Sequence, residues 1–128
     1  MALQDKYRSV LDMGERFNAQ DGDVREEFGV LKMKGTVETQ REKDMLWDEI
    51  KRLGGDNPTD IEADIRVSNT AYYGKYVIEK GDSLSKIAKE VYGDPMKYKE
   101  IFAANTDQLD DPNKIFPGQE IVLPNIQA

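Results

Sequence analysis

Residues 76–124 read YVIEKGDSLSKIAKEVYGDPMKYKEIFAANTDQLDDPNKIFPGQEIVLP, and the pattern spells strand, helix, helix, strand. Tyr76 to Glu79 is a short β-rich run that Lys80-Gly81 turns. Asp82 is the expected N-cap of a first helix, its carboxylate taking free amides of the first turn. Leu84, Ile87, Ala88 and Val91 recur at i, i+3, i+4 and i+7, which places one apolar stripe on a core. Tyr92-Gly93 ends that helix. Asp94 caps a second, with Pro95 at the first helical position, where its missing N–H costs nothing. Tyr98, Ile101, Phe102 and Asn105 repeat the stripe. Phe116-Pro117-Gly118-Gln119 suits a type II turn, since Pro fixes the first central φ and Gly supplies the positive second one. Gln119 to Leu123 is the closing strand, and Pro124 stops it.

GDSL after the first strand, YGD between the helices, AN at the end of the second and PGQ before the last strand together resemble the LysM domain. That resemblance implies a non-catalytic module that binds N-acetylglucosamine-containing glycans such as peptidoglycan. It places a shallow groove between the loop after the first strand and the loop before the last. Here the groove is Gly81, Asp82, Ser83 and Leu84 facing Ile115, Phe116, Pro117 and Gly118. Backbone amides would bond acetamido groups, with Leu84 and Ile115 covering the sugar face. The same residues have structural tasks as cap, core stripe and turn. The Asp110 to Lys114 loop, DDPNK, is placed beside the groove and able to cover it.

Outward from this segment, residues 1–75 carry their own pattern. Leu3, Tyr7, Val10, Leu11, Gly14 and Phe17 line one face of an expected helix from Leu3 to Phe17. Asn18 to Asp23 reads as a turn and Val24 to Phe28 as a strand whose alternation Glu26 breaks. Gly29 to Val37 is a firmer strand, with Leu31 and Met33 on one face and lysines on the other. Thr39 and Glu42 form a capping box at the start of a helix. Met45, Leu46, Trp47, Ile50 and Leu53 make its broad apolar face, and Gly54-Gly55 ends it. Ile61, Ala63, Ile65 and Val67 alternate with Glu62, Asp64 and Arg66, the period of a half-buried strand. Trp47 is expected in the core or at a domain interface. Tyr72, Tyr73 and Tyr76 flank a polar stretch and would be costly to leave wet, so that stretch is expected to pack on one domain.

The expected class is α+β in two small domains: an αββαβ unit over residues 1–68, a linker over 69–75, the βααβ unit over 76–124 and a C-terminal tail over 125–128. GVLKMKGTV followed by a charged helix gives the first unit a resemblance to the BON domain. BON followed by LysM resembles a group of bacterial cytoplasmic proteins that includes a potassium-binding member. The resemblance implies K+ as a possible ligand, with no other cofactor. Potassium prefers several oxygens, often main-chain carbonyls. Gly54, Gly55, Asp56 and Asn57, ahead of Pro58, form the loop best able to aim carbonyls inward, although the same residues serve as a helix end and connection.

Composition narrows the classes. The chain has neither cysteine nor histidine, which removes disulfides, thiolate metal sites, and His-dependent nucleophilic chemistry. Eighteen basic against twenty-five acidic side chains give a net charge of -7, which disfavours nucleic acid and anionic membrane surfaces. With that many acids, adjacent pairs such as Asp110-Asp111 and Glu26-Glu27 read as solvated charges rather than a catalytic or divalent-metal pair. An enzyme is not expected. The N-terminal residues carry charges at positions 5, 6 and 8 and lack the apolar core of a signal peptide, so a cytoplasmic location is expected, in tension with peptidoglycan as the ligand. No apolar run approaches the ~20 residues of a membrane span. With the ligands that the resemblances imply, the expectation is a monomeric binding protein for glycan or potassium, with a structural adaptor in a phage-tail-like or other protein assembly as the third class.

Overall fold

The computed structural model describes residues 2–126, so Gln127 and Ala128 of the expected tail lie outside the described residues. The chain is α+β and divides between Thr70 and Ala71 into two compact units.

In the first unit the expected single helix is two, α1 (Ala2–Lys6) and α2 (Arg8–Arg16), separated at Tyr7. The break has a cause. Tyr7 is fully buried, and its hydroxyl donates to Asp60 Oδ1 at 2.5 Å, which holds the ring inward at the break. Strand β1 (Gln20–Glu27) starts earlier than expected, because the residues read as a turn are extended around a bulge. Register with β2 (Val30–Val37) shifts between Gln20 and Asp23, and Asp21 takes φ 53°. Phe28 leaves the strand altogether: Phe28 and Gly29, at φ 52° and 77°, form a two-residue hairpin loop. Gly14 has no atom near the place of a Cβ, so it serves no close packing.

Helix α3 (Gln40–Gly54) opens with the complete Thr39–Glu42 capping box. It carries the chain to β3 (Ile61–Val67), which lies parallel to β2, whereas β1 lies antiparallel to it, in the order β1-β2-β3. Tyr7, Val10, Leu31, Val37, Leu46, Ile50, Ile61 and Ile65 form the core, with Met33, Trp47, Leu53 and Ala63 half-buried against it.

In the second unit β4 (Gly74–Val77) pairs antiparallel with β5 (Glu120–Leu123). Gly74 and Lys75, expected in the linker, are therefore strand residues. Helix α4 (Leu84–Tyr92) ends on Gly93 in the left-handed region. Asp94 caps a 3-10 turn (Pro95–Lys97), not the second helix as expected; α5 (Tyr98–Ala104) follows it, and its own N-cap Lys97 makes no side-chain bond. Leu84, Ile87, Ala88, Ile101, Leu109, Ile121 and Leu123 are buried together with Ile78, while Phe102, Tyr73 and Tyr76 pack half-buried around them. Asn105 is also buried. Its Oδ1 accepts the Val122 N–H at 2.8 Å, and its Nδ2 donates to the carbonyls of Val122 at 2.8 Å and Ile101 at 2.7 Å. A polar residue in the apolar stripe thus pins α5 to β5.

Candidate functional site

The loops singled out in the second unit leave the same end of the β4–β5 ladder. Past the last paired residues, Val77 and Glu120, the Ile78 N–H donates to the Gln119 carbonyl at 2.9 Å and the Gly118 N–H to the Ile78 carbonyl at 2.7 Å. The Gln119 N–H closes the Phe116–Gln119 turn on the Phe116 carbonyl at 3.1 Å, with Gly118 at φ 88° as that turn demands. Gly81 also has a positive φ, 90°, and its carbonyl accepts from Lys86 Nζ at 3.3 Å.

Two expectations change at this loop. The N-cap of α4 is Ser83, whose hydroxyl accepts the Lys86 N–H, not Asp82. Asp82 instead folds back on its own turn, accepting the Glu79 N–H at 2.7 Å and the Tyr76 hydroxyl at 3.0 Å. Burial, and then the Asp82 carboxylate, push the Tyr76 phenol up to about 12. Leu84 is 2% exposed, a core residue with no surface to offer a sugar ring. Ile115 is half-buried against the core, and Gly81, Pro117 and Gly118 are exposed. Phe116 stands 67% exposed, the one large apolar side chain of the eight that faces water. Asp111 is engaged within the neighbouring loop, its carboxylate taking the Asn113 N–H and its carbonyl the Lys114 N–H, so this member of the Asp110-Asp111 pair has a turn-forming role.

The first unit's loop has a different chemistry. Gly54 is the last residue of α3 and Gly55 follows at φ 87°, while Asp56 and Asn57 are exposed. A Cβ at position 54 would overlap the Tyr7 hydroxyl and press on Pro58, so glycine is required there by close packing. Tyr7 and Lys6 share Asp60, Lys6 Nζ lying 2.6 Å from Oδ2. Those two partners hold the Asp60 carboxyl below its usual range, and burial, with Asp60 behind it, pushes the Tyr7 phenol up to about 12. The sequence reading missed this cluster; its signal was a tyrosine on an apolar stripe where the helix had to break. Among the described residues no three acidic side chains converge on a metal position, and no helix is long and apolar enough to cross a membrane.

A family model described as LysM domain matches residues 76–124. Over 49 residues the chain is 47% identical to "Potassium binding protein Kbp" of Escherichia coli O6:H1, a match covering 38% of this chain and 33% of that protein. An uncharacterized protein of Deinococcus radiodurans is likewise 47% identical over 49 residues, 38% of this chain and 19% of its own length. The matches thus span about a third or less of these relatives. The strand, two-helix, strand unit with its capped turns and this match agree: residues 76–124 are a LysM domain.

Proposed function

We propose that the protein is a non-enzymatic binding protein whose LysM domain takes an N-acetylglucosamine-containing glycan at the loop end of β4 and β5. The observation that carries this reading is the exposed Phe116 beside the Gly118 turn, on the strand end from which the Gly81 loop also leaves. An aromatic ring held in water beside the exposed Gly81, Pro117 and Gly118 suits a sugar's apolar face. Gly81, Ser83, Ile115, Phe116, Pro117 and Gly118 form the site, with Asp82 holding the loop and Leu84 the core beneath. With α1 and α2 together in the place of one helix, the first unit is read as BON-like, and the chain as cytoplasmic. Titration with chitin oligomers tests the site. Saturable binding that Phe116→Ala abolishes at an unchanged melting temperature supports it; binding that survives the substitution places the glycan elsewhere.

A second reading is favoured by the likeness to a protein named for potassium binding. Here K+ is held by carbonyls of Gly54, Gly55, Asp56 and Asn57, where the positive φ of Gly55 turns the backbone at the end of α3. Melting in sodium and potassium chloride at equal ionic strength separates it from screening, which treats the two alike. A ligand of the native state at 100 times its Kd adds ~2.7 kcal/mol, a shift of several degrees. Equal melting in both salts removes potassium, and silence to glycan as well leaves the adaptor class.

A further inference from the structure

The three-stranded sheet has two edges, and they are built differently. At β1 the edge is interrupted by the bulge between Gln20 and Asp23 and by the left-handed Asp21, devices that discourage strand addition. Strand β3 runs in unbroken register with β2 from Leu31↔Ile61 to Val37↔Val67, with neither bulge nor proline. The bonds from the Leu31 N–H to the Asp60 carbonyl and from the Ser68 N–H to the Val37 carbonyl, with this parallel register, turn the amides of even-numbered β3 residues toward β2. Those of Ile61, Ala63, Ile65 and Val67 therefore face the outer edge, where the sheet has no further strand among the described residues.

We infer that β3 pairs antiparallel with β3 of a second copy of this chain, about a two-fold axis at Ile65, joining the two sheets into one. The charges select this partner and this register. Pairings that keep apolar faces together are centred on a residue of the strand. Centring on Ala63 sets Glu62 against Asp64 of the other copy twice. Centring on Asp64 sets Glu62 opposite Arg66 twice but that carboxylate against itself at the axis, and centring on Arg66 sets the two guanidinium groups against each other, so neither is free of a like-charge contact. Centring on Ile65 places Asp64 opposite Arg66 on both sides of the axis, Glu62 opposite the neutral Ser68, Ala63 opposite Val67 and Ile65 opposite Ile65. Within one chain Arg66 Nη2 already lies 3.4 Å from Asp64 Oδ2, and both side chains are exposed, so each is free to reach across without breaking a buried contact. An isologous pair of this kind closes on itself and does not propagate. It departs from the monomer expected from the sequence, where the position of β3 at a sheet edge is not visible.

Sedimentation equilibrium of the full chain from about micromolar to about millimolar concentration tests the inference. The wild type should show a monomer–dimer equilibrium. Asp64→Arg and Arg66→Asp each set like charges opposite twice and should weaken the dimer roughly tenfold or more, while the double swap should restore it. Ala63→Pro removes an outward N–H without touching the β2 ladder and should also give monomer, with circular dichroism checking its fold. A wild type that stays monomeric throughout, a dimer indifferent to the single swaps, or a double swap that fails to recover would overturn the proposal.

Discussion

Strands β5 and β3 both lie at the edge of a sheet, yet three outer groups of β5 are met by side chains of its own unit while β3 turns four backbone amides outward. Asn105 fills the N–H and carbonyl of Val122, and Gln108 Nε2 donates to the Glu120 carbonyl at 2.8 Å, so α5 and the turn after it stand in for a third strand. A two-stranded sheet is marginal in water and needs such cover. The three-stranded sheet holds its register through two ladders, and its last strand can stay open. The lesson is that a buried polar side chain here replaces sheet, and its removal should be felt as lost backbone pairing.

The largest effect is therefore expected for Asn105→Ala. It strips Val122 of both partners and leaves the Ile101 carbonyl with one fewer, in a site that is 1% exposed. Urea unfolding of the second unit should lose about 3 kcal/mol. A loss under about 1 kcal/mol would mean that water covers β5 as well as the amide does.

Gly54→Ala comes next and probes the first unit's counterpart, the Tyr7–Asp60–Lys6 cluster. In an open helix the substitution would gain ~1 kcal/mol. Here the new methyl overlaps the Tyr7 hydroxyl and Pro58, so a loss of about 2 kcal/mol is expected instead, partly relieved in a Tyr7→Phe background. A net gain would show that Tyr7 withdraws freely and that the cluster does not anchor α1 and α2 to β3.

These two sites mark where the sequence could and could not be read. The apolar stripes, the Thr39–Glu42 box, the Asp94–Pro95 cap, the Gly93 stop and the Pro117-Gly118 turn are local signals, and each appears where expected. The long-range bonds are what escaped. Tyr7 breaks a periodic helix because its partner is Asp60, far along the chain. Asp82 and Ser83 are both good caps, and the Tyr76 hydroxyl decides between them. Residues 20–23 carry turn chemistry, yet pairing with β2 extends them, while Phe28 takes the left-handed position that asparagine or glycine usually fills. In the LysM groove the loops were legible and the exposure of Phe116 was not, since turn sequences say little about which side chain meets water.

The acid limb of stability should divide the units. Glu49 is held down at about 2, first by its bonds with Arg52 and then by Ser9, and Asp60 is held low by Lys6 and Tyr7; both carboxylates belong to the first unit. A carboxyl whose folded value is depressed adds stability above its unfolded value and loses it as pH falls toward the folded one. Amide signals of the first unit should therefore report lower melting as pH drops from ~4.5 to about 2. At the other end Tyr7 and Tyr76, each pushed up to about 12, contribute fully below ~10 and lose that contribution as pH rises to about 12, so both units should weaken together. An acid limb of equal steepness in the second unit would overturn the division.

The smallest expected difference lies in the helix caps. At α3, Thr39 is buried and reciprocal: its hydroxyl takes the Glu42 N–H at 3.3 Å while the Glu42 carboxylate takes the Thr39 N–H at 3.3 Å. At α4, Ser83 is half-buried, and its hydroxyl takes the Lys86 N–H at 3.2 Å and pairs with the Ser85 hydroxyl, also at 3.2 Å. Thr39→Ala should cost about 1.5 kcal/mol in the first unit, and Ser83→Ala about 0.5 kcal/mol in the second, where water can reach the freed amide. Asp82→Ala discriminates the two neighbours at this cap. It removes the bonds to the Glu79 N–H and the Tyr76 hydroxyl, so the Tyr76 phenol should titrate closer to its ordinary range while the Lys86 amide stays protected from exchange. Loss of protection at Lys86 in Asp82→Ala, with none in Ser83→Ala, would return the cap to Asp82 and take from the Gly81 loop the carboxylate that fixes it against β4.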